Sequence, residues 1–210
     1  DLIRNEHYEP AFREAMAMQK AEIEAIVSNP EAPTFENTIV ALETTGSMLS
    51  RVSRVFGAVN GAHTNDTLQA VDRTLAPVRA AHGDDISLNP VLWERVRAVF
   101  DRRAELSLTP EQDKLLEETH KEFVRRGAAL NDEAKARVRE INGELAELST
   151  QFGENVLAET NAYELLVTDT ADLGNLPAGL VALAAEKARS EGHQAGWLFT
   201  QDRPSIDPFL

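Results

Sequence analysis

The chain has 210 residues, 42% of them hydrophobic and 27% charged, with a formal net charge of −14. That balance excludes nucleic-acid binding as its main task, because phosphates are held chiefly by Lys and Arg and no basic stripe is gathered anywhere along the sequence. With no cysteine there are no disulfides, thiolate metal sites or cysteine nucleophiles, and no apolar run reaches the ~20 residues that a membrane-spanning helix requires.

Helical periodicity dominates the first three quarters. Phe12, Met16, Gln19, Ile23 and Ile26 step by four and three, which predicts an amphipathic helix starting near Pro10 and stopped by Ser28-Asn29-Pro30. A second helix is expected from Thr34, with Phe35, Ile39, Leu42, Leu49, Val52, Phe56 and Val59 forming one near-heptad stripe that runs through Gly46 and Gly57. Asn65 or Asp66 caps a third, whose apolar face is Leu68, Val71, Leu75 and Val78 and which Pro77 should kink. Asn89-Pro90 reads as a cap followed by a proline at the first helical position, ahead of Leu92, Val96, Val99 and Phe100. Thr109-Pro110-Glu111-Gln112 has the form of a reciprocal capping box, and Asn131-Asp132-Glu133 opens a long helix carrying Val138, Ile141, Leu145, Leu148, Phe152, Val156 and Leu157.

After Thr160 the pattern changes. Tyr163 to Val167 and Trp197 to Thr200 are short β-tending runs on either side of an alanine-rich helix from Pro177 to Ser190, closed by Gly192. The expected fold is therefore mainly α, long packed antiparallel helices over 1–160, followed by a small strand-helix-strand segment over 161–210. Ser205 to Leu210 reads as the cap and first turn of a further helix, which one turn alone would not sustain.

The sequence has no glycine-rich phosphate loop, no G-x-S-x-G, no dinucleotide fingerprint and no H-E-x-x-H. Among five isolated histidines, only Glu117-x-x-His120 has metal-ligand spacing, and a di-metal carboxylate bundle would need a second copy that does not exist. The plainer reading is a solvated face on which Glu117, Glu118, Lys121 and Glu122 pair. Asp84-Asp85 is expected at a turn or a solvated helix end rather than in a cation site. The pairs Arg102-Arg103 and Arg125-Arg126 suit helix C-termini better than an anion site, and Trp93 and Trp197 are expected in the core.

Six stretches in order carry a resemblance. They are Pro33-Thr34-Phe35-Glu36-Asn37-Thr38-Ile39 with Ala41-Leu42-Glu43, His63-Thr64-Asn65-Asp66, Leu88-Asn89-Pro90, Glu147-Leu148-Ser149-Thr150-Gln151-Phe152 with Glu154-Asn155-Val156-Leu157, Gly196-Trp197-Leu198-Phe199-Thr200, and Arg203-Pro204-Ser205. Together they resemble the thimet oligopeptidase family of zinc metallopeptidases, best its bacterial peptidyl-dipeptidase (Dcp) branch and next oligopeptidase A, over essentially the whole chain. The resemblance implies one non-catalytic, N-terminal lobe of a two-lobed enzyme that hydrolyses short peptides and releases C-terminal dipeptides, this lobe forming part of the wall of the substrate channel.

In that family H-E-x-x-H and a later glutamate bind one zinc, and the motif glutamate activates water. None of them has a counterpart here, so no catalytic residue and no metal ligand is carried over, substrate-binding residues stay unassigned, and this chain alone is expected to bind no zinc and to be inactive. The implied partners are short peptides and the enzyme's own C-terminal catalytic domain, with no nucleic acid and no membrane, and the expected location is cytoplasmic, a periplasmic one requiring a leader ahead of Asp1. The alternative is a free-standing helical module that binds a peptide or protein through the stripe from Phe35 to Val59.

Overall fold

The computed structural model describes residues 3–201 and Ser205. The chain forms two compact units, Asp1–Thr150 and Gln151–Leu210. Among the described residues the fold is mainly α with one small two-stranded sheet.

In the first unit, a 3₁₀ turn over Asn5–His7 leads into α1 (Tyr8–Val27), whose inner face is Tyr8, Phe12, Ala15, Met16, Ile23 and Ile26. The stripe from Phe35 to Val59 is not one helix. A π-helical stretch, Phe35–Val40, continues into the single turn α2 (Ala41–Glu43), and after a turn α3 occupies Ser47–Ala62. The break falls at Gly46, which sits at φ +71°, the left-handed region that ends one helical segment and that L side chains avoid. The near-heptad spacing persists across the turn because α2 and α3 each keep an apolar face inward, which sequence spacing cannot distinguish from continuity.

Helix α4 (Asp66–Ser87) runs through Pro77, α5 is Pro90–Asp101 and α6 is Pro110–Arg125. Their starts are those the sequence predicts: the side chains of Asn65, Asn89 and Thr109 each accept from a first-turn amide, and Gln112 reciprocates at Thr109. Helix α7 (Asp132–Ala162) is 31 residues long, a rod of about 46 Å at the usual rise per residue, and Lys135 is its one buried residue among those described.

Two apolar clusters organise this unit. Helices α1 and α3 pack closely, and with α4 they enclose Tyr8, Phe12, Met16, Phe56, Leu68 and Leu75, the Phe56 ring meeting those of Tyr8 and Phe12 edge to face. The other cluster gathers Ile23 and Ile26 of α1, Phe35 and Ile39 of the π-helical stretch, Leu92, Val96 and Val99 of α5, and Leu116 and Phe123 of α6.

In the second unit, β1 (Leu165–Val167) pairs antiparallel with β2 (Trp197–Phe199), Leu166 opposite Leu198. Helix α8 (Ala178–Ser190) packs on β2, enclosing Leu180, Ala184 and Phe199. Gly196, at φ +107°, enters β2 where a Cβ would lie 2.8 Å from the Val167 carbonyl oxygen, so this turn requires glycine. The Oγ of Ser205 accepts from the Thr200 amide at 2.9 Å. The remainder of the expected helix start, Ile206 to Leu210, lies outside the described residues.

Candidate functional site

The stretch from Pro33 to Ile39 folds into a hydrogen-bonded hub. Thr34 caps the π-helical stretch by accepting from the Asn37 amide at 3.0 Å, and the Asn37 Oδ1 accepts from the Thr34 amide at 2.8 Å. The same oxygen accepts from Thr38 Oγ1 at 2.9 Å and from Arg95 Nη2 at 3.1 Å, while Asn37 Nδ2 donates to the Ala32 carbonyl at 3.0 Å. Arg95, buried on α5, also donates from Nη1 to the carbonyls of Asn29 and Glu31 at 3.1 and 3.2 Å. Nearby, Arg102 Nη2 donates to the Pro33 carbonyl at 2.6 Å. Two arginines of α5 and its end thus tie down the whole connection after α1, and every partner of Arg95 is neutral.

A second polar cluster joins α1, the turn before α3, and α4. His82 is buried, and its Nε2 lies 2.7 Å from Gln19 Oε1, an acceptor, which places the ring proton on Nε2 and leaves Nδ1 without a partner. Burial is the main cause that lowers the His82 pKa below its ordinary value, the Lys20 cation adds to it, and Asp85 opposes both. Gln19 Nε2 reaches Thr45 Oγ1 at 3.4 Å, and Glu22 Oε2 accepts from the Gly46 amide at 2.7 Å. Beside this cluster is a cavity of ≈ 690 Å³, lined by His82, Gln19, Thr45, Glu118, Glu122 and Arg126 among others. An adjoining cavity of ≈ 810 Å³ is bounded by Arg79 and Asp84 of α4, Arg126 and Leu130 beyond α6, and Val138 and Leu145 of α7.

The candidate metal pair does not come together. His120 stacks on Phe100 at 3.8 Å between ring centroids and lies 5.1 Å from the Trp93 ring, in an apolar setting whose burial lowers its pKa. Glu117 is engaged by Lys121, Arg103 and Lys114, and the Lys121 hydrogen bond is the main cause that holds its carboxyl below the usual range. Residues tied up in this way do not fit a zinc or di-metal site, and among the described residues no three His, Asp or Glu side chains are grouped to hold a metal. The charge pairing expected on α6 is met for Glu117, Glu118 and Lys121, which Lys114 joins, whereas Glu122 pairs with Arg126 instead.

Asp84-Asp85 lies at a helix end, in the last turn of α4, as expected, but only Asp85 is solvated, pairing with Lys20 at 2.7 Å, whereas Asp84 is buried and accepts from Asn142 Nδ2 at 2.7 Å. The long-range partners explain why adjacent acids are stable inside a helix end. Arg102 and Arg126 do cap α5 and α6, and Trp93 is in the core, whereas Trp197 is half-buried. Arg103 forms a forked pair with Asp113, which raises the arginine's pKa and lowers that of the aspartate.

Sequence reasoning located Asn37 through its motif but missed Arg95, Gln19 and His82 as polar centres. Each sits at a position that periodicity assigns to a helix face, and their partners are 26 to 66 residues away in sequence.

No family model matches the chain. Among curated proteins it is 44% identical over 210 residues to the dipeptidyl carboxypeptidase of Escherichia coli K12, covering 100% of this chain and 31% of that protein. The dipeptidyl carboxypeptidase of Salmonella typhimurium is 42% identical over 210 residues, covering 98% of this chain and 31% of that protein. The probable cytosolic oligopeptidase A of Arabidopsis thaliana is 29% identical over 219 residues, covering 100% of this chain and 31% of that protein. The chain therefore spans about a third of the length of the curated relatives it matches. Along all 210 residues the chain is thus similar to the N-terminal third of dipeptidyl carboxypeptidase and oligopeptidase A, members of the thimet oligopeptidase family.

Proposed function

We propose that this chain is the non-catalytic, N-terminal lobe of a zinc peptidyl-dipeptidase that releases C-terminal dipeptides from short peptides, and that it forms part of the wall of the substrate channel. The observation that carries the reading is the 44% identity to a dipeptidyl carboxypeptidase along the full 210 residues. The stretches behind the resemblance support it from another side: Thr34 and Asn37, Asn65, Asn89 and Gly196 serve as caps, a clamp and a turn, the scaffold work of a lobe rather than bond-breaking chemistry. Water activation and metal binding belong to polypeptide outside these residues, and no step is assigned to any side chain here. A cytoplasmic location is part of the same reading, since one relative is described as cytosolic and no helix among the described residues is long and apolar enough to cross a membrane.

A free-standing module loses its motivating feature, because the stripe from Phe35 to Val59 is interrupted at Gly46 and buries Phe35, Ile39 and Phe56 in this chain's own core. The test is to express the full coding frame and the 210-residue chain side by side with a peptide of four to eight residues. The full-length product should release the C-terminal dipeptide, spare the C-terminally amidated peptide, and lose activity with chelator and regain it with zinc. Dipeptide release by the 210-residue chain alone, or none by the zinc-loaded full-length product, would overturn the reading.

A further inference from the structure

Helix α7 presents a continuous apolar stripe to solvent. Ile141, Leu145, Leu148, Phe152 and Val156 follow Val138 at steps of three and four, and Leu148 and Phe152 are 59% and 70% exposed. At the usual rise, Val138 to Val156 is about 27 Å of one helix face. Single exposed leucines are ordinary, but a run of five large apolar side chains on one face marks a contact surface. Of the stretches through which the chain resembles its family, Glu147 to Leu157 is the one that leaves three large apolar residues, Leu148, Phe152 and Val156, exposed with Leu157 half-buried, whereas Phe35, Ile39 and Leu198 of the others are buried.

We infer that this face of α7 is the seat of a helix from the part of the enzyme corresponding to the remaining two-thirds of its relatives, packed lengthwise along α7. The inference rests on the peptidyl-dipeptidase reading above. Three observations choose this occupant. The spacing in steps of three and four is that of one helix face packing into another, which matches a helix rather than an extended peptide. The stripe adjoins the ≈ 810 Å³ cavity beside α4, with Val138 and Leu145 common to both, so side chains of a partner helix have a recess to fill. And the chain carries a net charge of −14, which opposes pairing with a second copy, while Glu140 beside the stripe is already paired with Arg137 of the same helix at 2.8 Å, so this face offers a partner mainly apolar contact.

The test uses thiol accessibility, since the 210-residue chain contains no cysteine of its own. Leu148→Cys and Phe152→Cys are made separately in the full-length protein and in the 210-residue chain, and labelling by a maleimide is timed, the full-length background being subtracted with the unsubstituted protein. Both sites should label at least ~10-fold more slowly in the full-length protein, and hydrogen exchange on the unsubstituted proteins should show α7 amides from Val138 to Val156 slowed by a similar factor. Equal labelling and exchange in the two chains, in a full-length protein that releases dipeptides, overturns the inference and leaves the peptidase reading standing. Protection that appears only when peptide substrate is added assigns the face to the channel and overturns it too, as does protection in the 210-residue chain that grows with its concentration, which would mean a second copy. A coding frame that ends near Leu210 removes both readings together.

Discussion

Replacing Asn37 with alanine tests whether the hub after α1 is what holds that connection in place. The substitution deletes four hydrogen bonds, of which the one from the buried Arg95 and the reciprocal cap at Thr34 matter most. A hydrogen bond to a charged group is worth about 2 kcal/mol when its loss leaves the group short of a partner, and a helix cap contributes about 1 kcal/mol. Asn37→Ala should therefore cost about 3 kcal/mol, a fall of roughly 6–12 °C in melting temperature for a unit of this size. Asn37→Asp keeps the acceptor oxygen and places a carboxylate opposite Arg95 at a helix start, but turns the donation to Ala32 into a contact between two acceptor oxygens, so it should recover part of the lost stability and not all of it. Urea unfolding followed by Trp93 fluorescence in a Trp197→Phe background reads the first unit alone, because Trp93 lies in the cluster that Phe35 and Ile39 join. An Asn37→Ala chain within ~0.5 kcal/mol of the parent, or an Asn37→Asp chain as unstable as Asn37→Ala, would refute the assignment of the hub as a structural clamp.

Two glycines of the same helical region should respond with opposite signs. Gly46→Ala puts a Cβ at φ +71°, 2.3 Å from Gln19 Nε2, and should lower stability by about 1–2 kcal/mol, whereas Gly57→Ala, within α3 with nothing within 4 Å of the added carbon, should raise it by up to about 1 kcal/mol. Thermal unfolding of both variants decides the matter, and a stabilised Gly46→Ala would show that the turn tolerates a side chain. His82 supplies a pH dependence: its pKa is lowered in the folded state, so both states hold the neutral ring above ~6.5, and as pH falls through that value the unfolded chain takes up a proton that the folded one resists. Stability should decline from pH 7 toward pH 5, and His82→Gln should flatten that slope in part, His120 contributing in the same direction. A slope unchanged by His82→Gln would remove His82 from the account.

Helix starts were the most legible features of this sequence. Asn65, Asn89 and Thr109 act within three residues of themselves, and such local chemistry survives whatever the tertiary setting. The strand-helix-strand order of the last fifty residues was readable for the same reason. Gly46 shows where spacing misleads: an apolar stripe continues through a left-handed turn when both flanking helices bury the same side, so only a backbone angle reveals the break. Arg95 shows the other limit. On an amphipathic helix it reads as one more charged residue, and that it turns inward to three neutral oxygens depends on a loop more than fifty residues earlier. The candidate site divided in the same way, since Glu117 and His120 are one helical turn apart as the spacing requires, yet one faces lysines and arginine while the other is stacked against aromatic rings.

The long helix α7 has a consequence for how the chain comes apart. In sequence the apolar clusters of the first unit end at Ala128 and that of the second begins at Val167, so α7 contributes no residue to any of these clusters among the described residues. With one buried side chain in 31 residues, α7 is held mainly by its own backbone hydrogen bonds, and helices so held open locally at little free-energy cost. Arg137 and Arg139 stand exposed near its start. Limited trypsin digestion should nick the chain there first and yield two pieces, each retaining an intact core, and a helix docked on α7 would close that point of cleavage.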